Sequence, residues 1–326
     1  MKSAYIAGTG SYVPEEVVTN FALEKIVETS DEWIRTRTGI SERRIARDGE
    51  PTSDLAAQAA QSALEDAGLE AGDVDLIITA TVTPDMAFPS AGCMTQRKIG
   101  AVRAAAFDVS AACSGFIYAL SIADQFIRNG RYANILVIGA DTLSKITDWT
   151  DRNTCILFGD GAGAAVLKAT DEERGILSTH LYSDGTLSEL LQVPAGGSLR
   201  PASRETLENR LHYITMKGNE TFKVAVKALT DSIQAAVTHQ GITCAEVDLF
   251  IFHQANARII QSVGERLSIP ESKMPLTIAR YGNTSAASIP ITLDELNRAG
   301  KIHRGDLICM AAFGGGLTWA SSVIRW

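Results

Sequence analysis

A chain of 326 residues, 45% apolar and 21% charged, has the composition of a globular protein and the length for one large domain or two ordinary ones. Its formal net charge of −8 argues against nucleic acid or an anionic membrane as the principal partner. Five scattered cysteines without a CxxC pair offer neither a disulfide framework nor a zinc site, and suit a reducing compartment.

The N-terminal apolar run is too short for the core of a signal peptide, and no stretch reaches the ~18 apolar residues of a membrane span. The chain is therefore expected in the cytoplasm and off the membrane. Apolar runs at 74–80 (VDLIITA), 104–109, 134–140 (NILVIGA), 247–252 (VDLFIF) and 306–311 (DLICMA) read as strands buried on both faces. The stretches 54–67, 114–129, 221–239 and 285–298 read as helices between them, and the alternation predicts an α/β fold. Val74-Asp75-Leu76 recurs as Val247-Asp248-Leu249, and Arg128-Asn129-Gly130-Arg131 as Arg298-Ala299-Gly300-Lys301. Both pairs are offset by about 170 residues, which predicts a duplicated domain with halves 1–172 and 173–326. The halves would share one core, with a site where they meet.

Cys113 lies in FDVSAACSGF between a predicted strand and a predicted helix. A helix N-terminus favours the thiolate, the reactive form of cysteine, and the small residues around Cys113 leave access for a substrate. The competing reading is a buried structural cysteine. His253 ends the strand VDLFIF and opens HQANAR, a placement that faces a cleft, although a structural histidine would also fit. Asn283, in YGNTSAAS, is either a turn and helix cap or a neutral donor for a carbonyl oxygen gaining charge. The run GDGAGA from Gly159 matches a dinucleotide-binding pattern, but the residues after it read as a strand and not as the required helix. Gly314-Gly315-Gly316 is a tight turn, or a place where a backbone N–H approaches a thioester oxygen.

Taken together, SDEWIRTRTGI, AFPSAGC, DVSAACSGF, ILFGDGAGAAVL, HQANARII, YGNTSAAS and AFGGGLTW resemble the β-ketoacyl-acyl-carrier-protein synthase III family, from Ala7 to Trp326. The resemblance implies the thiolase fold: duplicated βαβαβαββ halves in a five-layer αβαβα arrangement. It implies a catalytic triad of Cys113, His253 and Asn283, with Cys113 and Gly315 supplying oxyanion N–H groups. Elongating relatives carry a second His at the place of Asn283, and thiolases a second Cys in the glycine-rich loop, which Phe313–Gly316 lacks. The implied reaction joins a short acyl-CoA to malonyl-acyl-carrier protein with loss of CO2, and needs no metal or other cofactor.

The same resemblance places coenzyme A contacts on Trp33, Arg37, Arg152, Asn219 and Asn256. Phe88 would close the acyl pocket, across the interface of a homodimer, and favour acetyl-CoA. Docking of the acidic carrier protein would fall on Gln254, Ala255, Asn256, Ala257, Arg258 and Lys223, because a chain of negative net charge needs a local cationic patch. Glu265 departs from relatives that carry a basic residue there. Two other functions are compatible with these motifs: priming of a polyketide pathway, and a catalytically silent partner subunit, against which the presence of Cys113 speaks.

Overall fold

The computed structural model describes residues 3–326. Strands Ser3–Tyr12, Asp160–Thr170, Asn134–Thr142, Leu76–Ala80 and Ala105–Val109 lie side by side in that order, the last three parallel and the first two each antiparallel to the next. A second sheet repeats the pattern with Gly175–Ser183, Thr318–Arg325, Leu307–Gly314 and Leu249–Phe252. It has four strands. The stretch equivalent to the fifth strand, residues 278–282, holds the short helix Ile278–Tyr281 instead.

The duplication is therefore structural as well as sequential. Helix Gly115–Arg128 corresponds to Ser288–Arg298, and the 3-10 turn Ala71–Asp73 to Cys244–Glu246. The recurring tripeptide and the helix-closing tetrapeptide sit at equivalent places. The link between strands Asp160–Thr170 and Gly175–Ser183 holds the proposed boundary between residues 172 and 173.

Alternation along the strands divides the apolar residues into layers. Ile78, Ile135 and Val137 of one sheet and Ile251, Ile308 and Met310 of the other face a shared core that encloses Phe116, Leu120, Ile289 and Leu293 of the two central helices. Ile77, Leu136 and Ile138 point outward against the alanine-rich helix Thr52–Ala67. Phe250, Phe252 and Cys309 do the same against helices Gly218–His239 and Ala257–Leu267. The result is the expected five-layer αβαβα stack. Strand Asp160–Thr170 runs through the GDGAGA motif, which confirms that this is no dinucleotide turn.

The two central helices begin in the same unusual way. Ala112, just before Cys113, has φ of 45°, and Ser285, at the equivalent place in the second half, has φ of 49°. Each of these left-handed residues costs roughly 1–2 kcal/mol, a strain that the packing around it must hold in place. Both turns are pressed against the opposing half. A side chain at Gly139 would meet the Ala286 carbonyl at 2.2 Å, and one at Gly314 would meet the Cys113 amide nitrogen at 2.6 Å. No helix among the described residues is long and apolar enough to cross a membrane.

Candidate active site

Cys113 sits in the 3-10 turn Ala112–Ser114 that joins strand Ala105–Val109 to helix Gly115–Arg128. Its thiol is buried, and burial pushes its pKa up to about 12, against the smaller opposing pull of the Ser285 side chain and its own N–H. The helix end expected to favour thiolate is thus outweighed by desolvation. The resting group is a neutral thiol.

His253 follows strand Leu249–Phe252 and anchors its N–H on the Ala311 carbonyl at 2.8 Å. Its Nδ1 lies 2.7 Å from Ser288 Oγ, which also accepts the Gln254 N–H at 3.2 Å. Nε2 is buried without a partner. Burial pushes the ring's pKa down to about 3, so the imidazole is neutral across the physiological range.

Asn283 is held by its backbone. Its N–H donates to the Leu157 carbonyl at 2.8 Å, and its carbonyl accepts the Gly159 N–H at 3.0 Å. The side-chain Oδ1 accepts the Ser285 N–H at 2.9 Å, which leaves the NH2 group as the available donor. Loop 156–159 is itself braced by Arg43, a fully buried guanidinium that donates to the Ile156 carbonyl, the Val18 carbonyl and Asn20 Oδ1.

Cys113, His253 and Asn283, separated by up to 170 positions in the chain, line one cavity of about 570 Å³. Cys113 also lines a second chamber of about 360 Å³, walled by Leu143, Ile146, Leu191 and Ile214 together with Ser285 and Gly315. Gly314 faces the first space and Gly315 the second.

The mouth of the larger cavity is cationic. Helix Asp31–Thr38 places Trp33 and Arg37 one turn apart, and Trp33 lies between the Arg37 and Arg152 guanidinium groups at 4.6 and 4.8 Å from its ring centroid. Arg37, Asn219, Asn256, Arg258 and Lys223 line the cavity itself, with the Arg258 guanidinium 5.6 Å from the Phe222 ring centroid. Asn256 caps helix Ala257–Leu267 through the Arg258 N–H and donates to the Arg37 carbonyl at 3.0 Å, so it ties the two sides of the mouth together.

Two expectations from the sequence change here. Gln254 is 1% exposed, and its amide is spent on the Phe252 and Pro275 carbonyls and the Thr277 and Ile278 N–H groups. Ala257 is buried so tightly that a side chain on Gly39 would come within 2.6 Å of its Cβ. Neither forms a docking surface, because both side chains are packed inside the fold; Ala255, Asn256 and Arg258 face the cavity. Phe88 is 84% exposed and lines neither cavity of its own chain. Ser288 and Asp141 were not singled out from the sequence. Ser288 lies within YGNTSAAS, a signal that was present, whereas nothing around Asp141 marked it.

A thiol that opens onto two chambers can receive an acyl group from one and lodge it in the other, and that division of space defines an acyltransferase of the thiolase fold. The profile of the 3-oxoacyl-(acyl-carrier-protein) synthase III family matches residues 107–185, and that of its C-terminal part residues 237–326. The chain belongs to this family. It is 56% identical over 324 residues to a β-ketoacyl-(acyl-carrier-protein) synthase III of Caldanaerobacter subterraneus, covering 99% of this chain and 98% of the relative. The crystal structure of the Aquifex aeolicus 3-oxoacyl-(acyl-carrier-protein) synthase III superposes with a TM-score of 0.92 at 51% identity, covering 99% of this chain and all of that one. A priming β-ketosynthase of a polyketide pathway gives the same TM-score at 33% identity, covering 99% and 96% of the two chains. Among the described residues no cluster of three or more His, Cys, Asp or Glu side chains could hold a metal ion.

Proposed function

We propose that this enzyme condenses a short acyl-CoA with malonyl-acyl-carrier protein, releasing CO2 and coenzyme A and opening type II fatty acid synthesis. The observation that carries the reading is the meeting of Cys113, His253 and Asn283 around one cavity, with the Cys113 thiol also facing an apolar chamber. The greater identity to fatty-acid synthases than to the polyketide enzyme favours the housekeeping role.

Acyl-CoA enters past Trp33 and Arg152, whose flat aromatic face and guanidinium suit a purine, while Arg37, Asn219 and Asn256 meet the rest of the coenzyme. The Cys113 sulfur attacks the thioester carbonyl, the N–H groups of Cys113 and Gly315 receive the oxyanion, and coenzyme A departs with the proton. Malonyl-acyl-carrier protein then docks against Arg258, Lys223 and Ala255. Nε2–H of His253 and the NH2 of Asn283 bond its thioester carbonyl. As CO2 leaves, the electrons of the broken bond form an enolate on that carbonyl. Two neutral, preorganised donors in a dry site match a charge that appears only in the transition state. The carbanion forms the new C–C bond as the C–S bond to Cys113 breaks.

A homodimer in the cytoplasm is part of the same proposal, since Phe88 can close an acyl chamber only from a second copy. No metal or redox group is assigned a part. The reading is tested by His253→Ala and Asn283→Ala in separate half-reactions. Each variant is expected to form the acyl-enzyme by intact mass yet to lose roughly a hundredfold in malonyl decarboxylation. Normal condensation by a pre-acylated variant would refute the assigned roles.

A further inference from the structure

Ser285 belongs to the second half but reaches the nucleophile of the first. It is 2% exposed, it lines the same chamber as Cys113, and its hydroxyl is buried without a hydrogen-bond partner. A buried hydroxyl left unpaired forfeits free energy unless some state of the site uses it. Its backbone is held in the left-handed region at φ 49°, and the neighbouring Ala286 N–H is fixed at 3.3 Å on Oδ2 of Asp141. Asp141 is fully buried, and its other oxygen takes the Thr81 and Thr83 hydroxyls and the Val82 N–H at 2.8–3.0 Å. The turn carrying Ser285 is thus bolted to the rigid end of the first sheet. Burial pushes the pKa of both Cys113 and Asp141 up, and the Ser285 side chain opposes that rise in each.

The geometry points to Ser285 as a further catalytic residue, whose hydroxyl donates a hydrogen bond to the Cys113 sulfur whenever that sulfur carries negative charge. Two steps of the cycle demand it. In acylation the bond from the acyl carbon to coenzyme A breaks as the bond to Cys113 forms, and the thiol proton ends on the coenzyme A sulfur. In condensation the acyl–sulfur bond breaks and Cys113 is expelled as a thiolate, which regains a proton from solvent. In both, the otherwise unpaired hydroxyl supplies that bond to the sulfur. The strained φ has a purpose in this account: it aims Oγ at the chamber while Oδ1 of Asn283 takes the Ser285 N–H.

The inference rests on Cys113 being the nucleophile, which mapping of the acyl adduct tests separately. Its own test needs no substrate. Cys113 alkylation by iodoacetamide is followed against pH in the full-length enzyme, read from the mass of the Cys113 peptide so that the other thiols do not interfere. Ser285→Gly accepts a positive φ while removing the hydroxyl, and Ser285→Ala removes it without loosening the chain. Both are expected to slow alkylation about tenfold between about pH 7 and 9, whereas Ser285→Thr, which keeps the hydroxyl, is expected to react close to the wild-type rate. An unchanged profile in Ser285→Gly overturns the assignment. Equal slowing in Ser285→Thr also overturns it, since a merely displaced turn would slow attack whether or not the hydroxyl is kept.

Discussion

Ser288 Oγ stands 2.7 Å from His253 Nδ1 and also accepts the Gln254 N–H at 3.2 Å. A ring that accepts at Nδ1 carries its own proton on Nε2, the nitrogen left without a partner beside the cavity. A Ser288 hydroxyl that donates across this contact would select the tautomer able to donate to a thioester carbonyl. Ser288→Ala is expected to lower kcat for condensation about tenfold, with KM for malonyl-carrier protein little changed and acylation untouched. Equal losses in both half-reactions would show that Ser288 only supports the fold.

Cys113→Ser should abolish acyl transfer and condensation together, because a hydroxyl ionises far less readily than a thiol. Peptide mapping after incubation with acyl-CoA should place the adduct on Cys113. Cys155 and Cys309 are buried thiols whose pKa is likewise raised by burial, and an adduct on either, or on Cys93 or Cys244, would contradict the assignment.

The neutral, buried His253 has a signature in stability. Its folded pKa, about 3, is below the ~6.5 of an unfolded histidine. Between those values the unfolded chain binds a proton that the folded chain refuses, so stability is full above pH ~6.5 and falls as pH drops toward 3. His253→Gln should remove this part of the acid loss. Chemical denaturation of both proteins should show the wild type losing up to about 1.4 kcal/mol more per pH unit within that window. Parallel curves would mean that the ring is protonated in the fold.

Phe88, exposed on the single chain, should become buried on association. Phe88→Thr is expected to widen the range of acyl chain lengths accepted, by enlarging the chamber that a partner's Phe88 closes. A competition assay over an acyl-CoA series checks this, and an unaltered preference would remove Phe88 from the pocket wall.

Arg258→Glu should raise KM for malonyl-carrier protein strongly and leave acylation from coenzyme A nearly unchanged. Arg258 faces the mouth with Lys223, whereas Lys227 is already paired with Asp231 and adds less to the patch. The effect should shrink with salt, since exposed charges are screened over ~8 Å at physiological ionic strength. Equal losses with both substrates would assign Arg258 to the architecture of the mouth.

What the sequence by itself determined was local and periodic. Runs such as VDLIITA and NILVIGA read as strands covered on both faces, and the small residues around Cys113, between a strand and a helix, favoured a nucleophile over a structural cysteine. The repeated Val-Asp-Leu carried the duplication, since equal spacing along the chain becomes equal placement in two similar halves. Tertiary structure decided matters that depend on which surfaces meet. Gln254 and Ala255 are adjacent, yet one is consumed inside the fold and the other lines the mouth. Trp33 acquires Arg152 from far along the chain. Ser285 and Asp141 come from opposite halves, and nothing in either local sequence couples them. Local pattern sets backbone periodicity, but burial, pKa and unsatisfied donors are created by packing, and packing joins residues that the chain keeps apart.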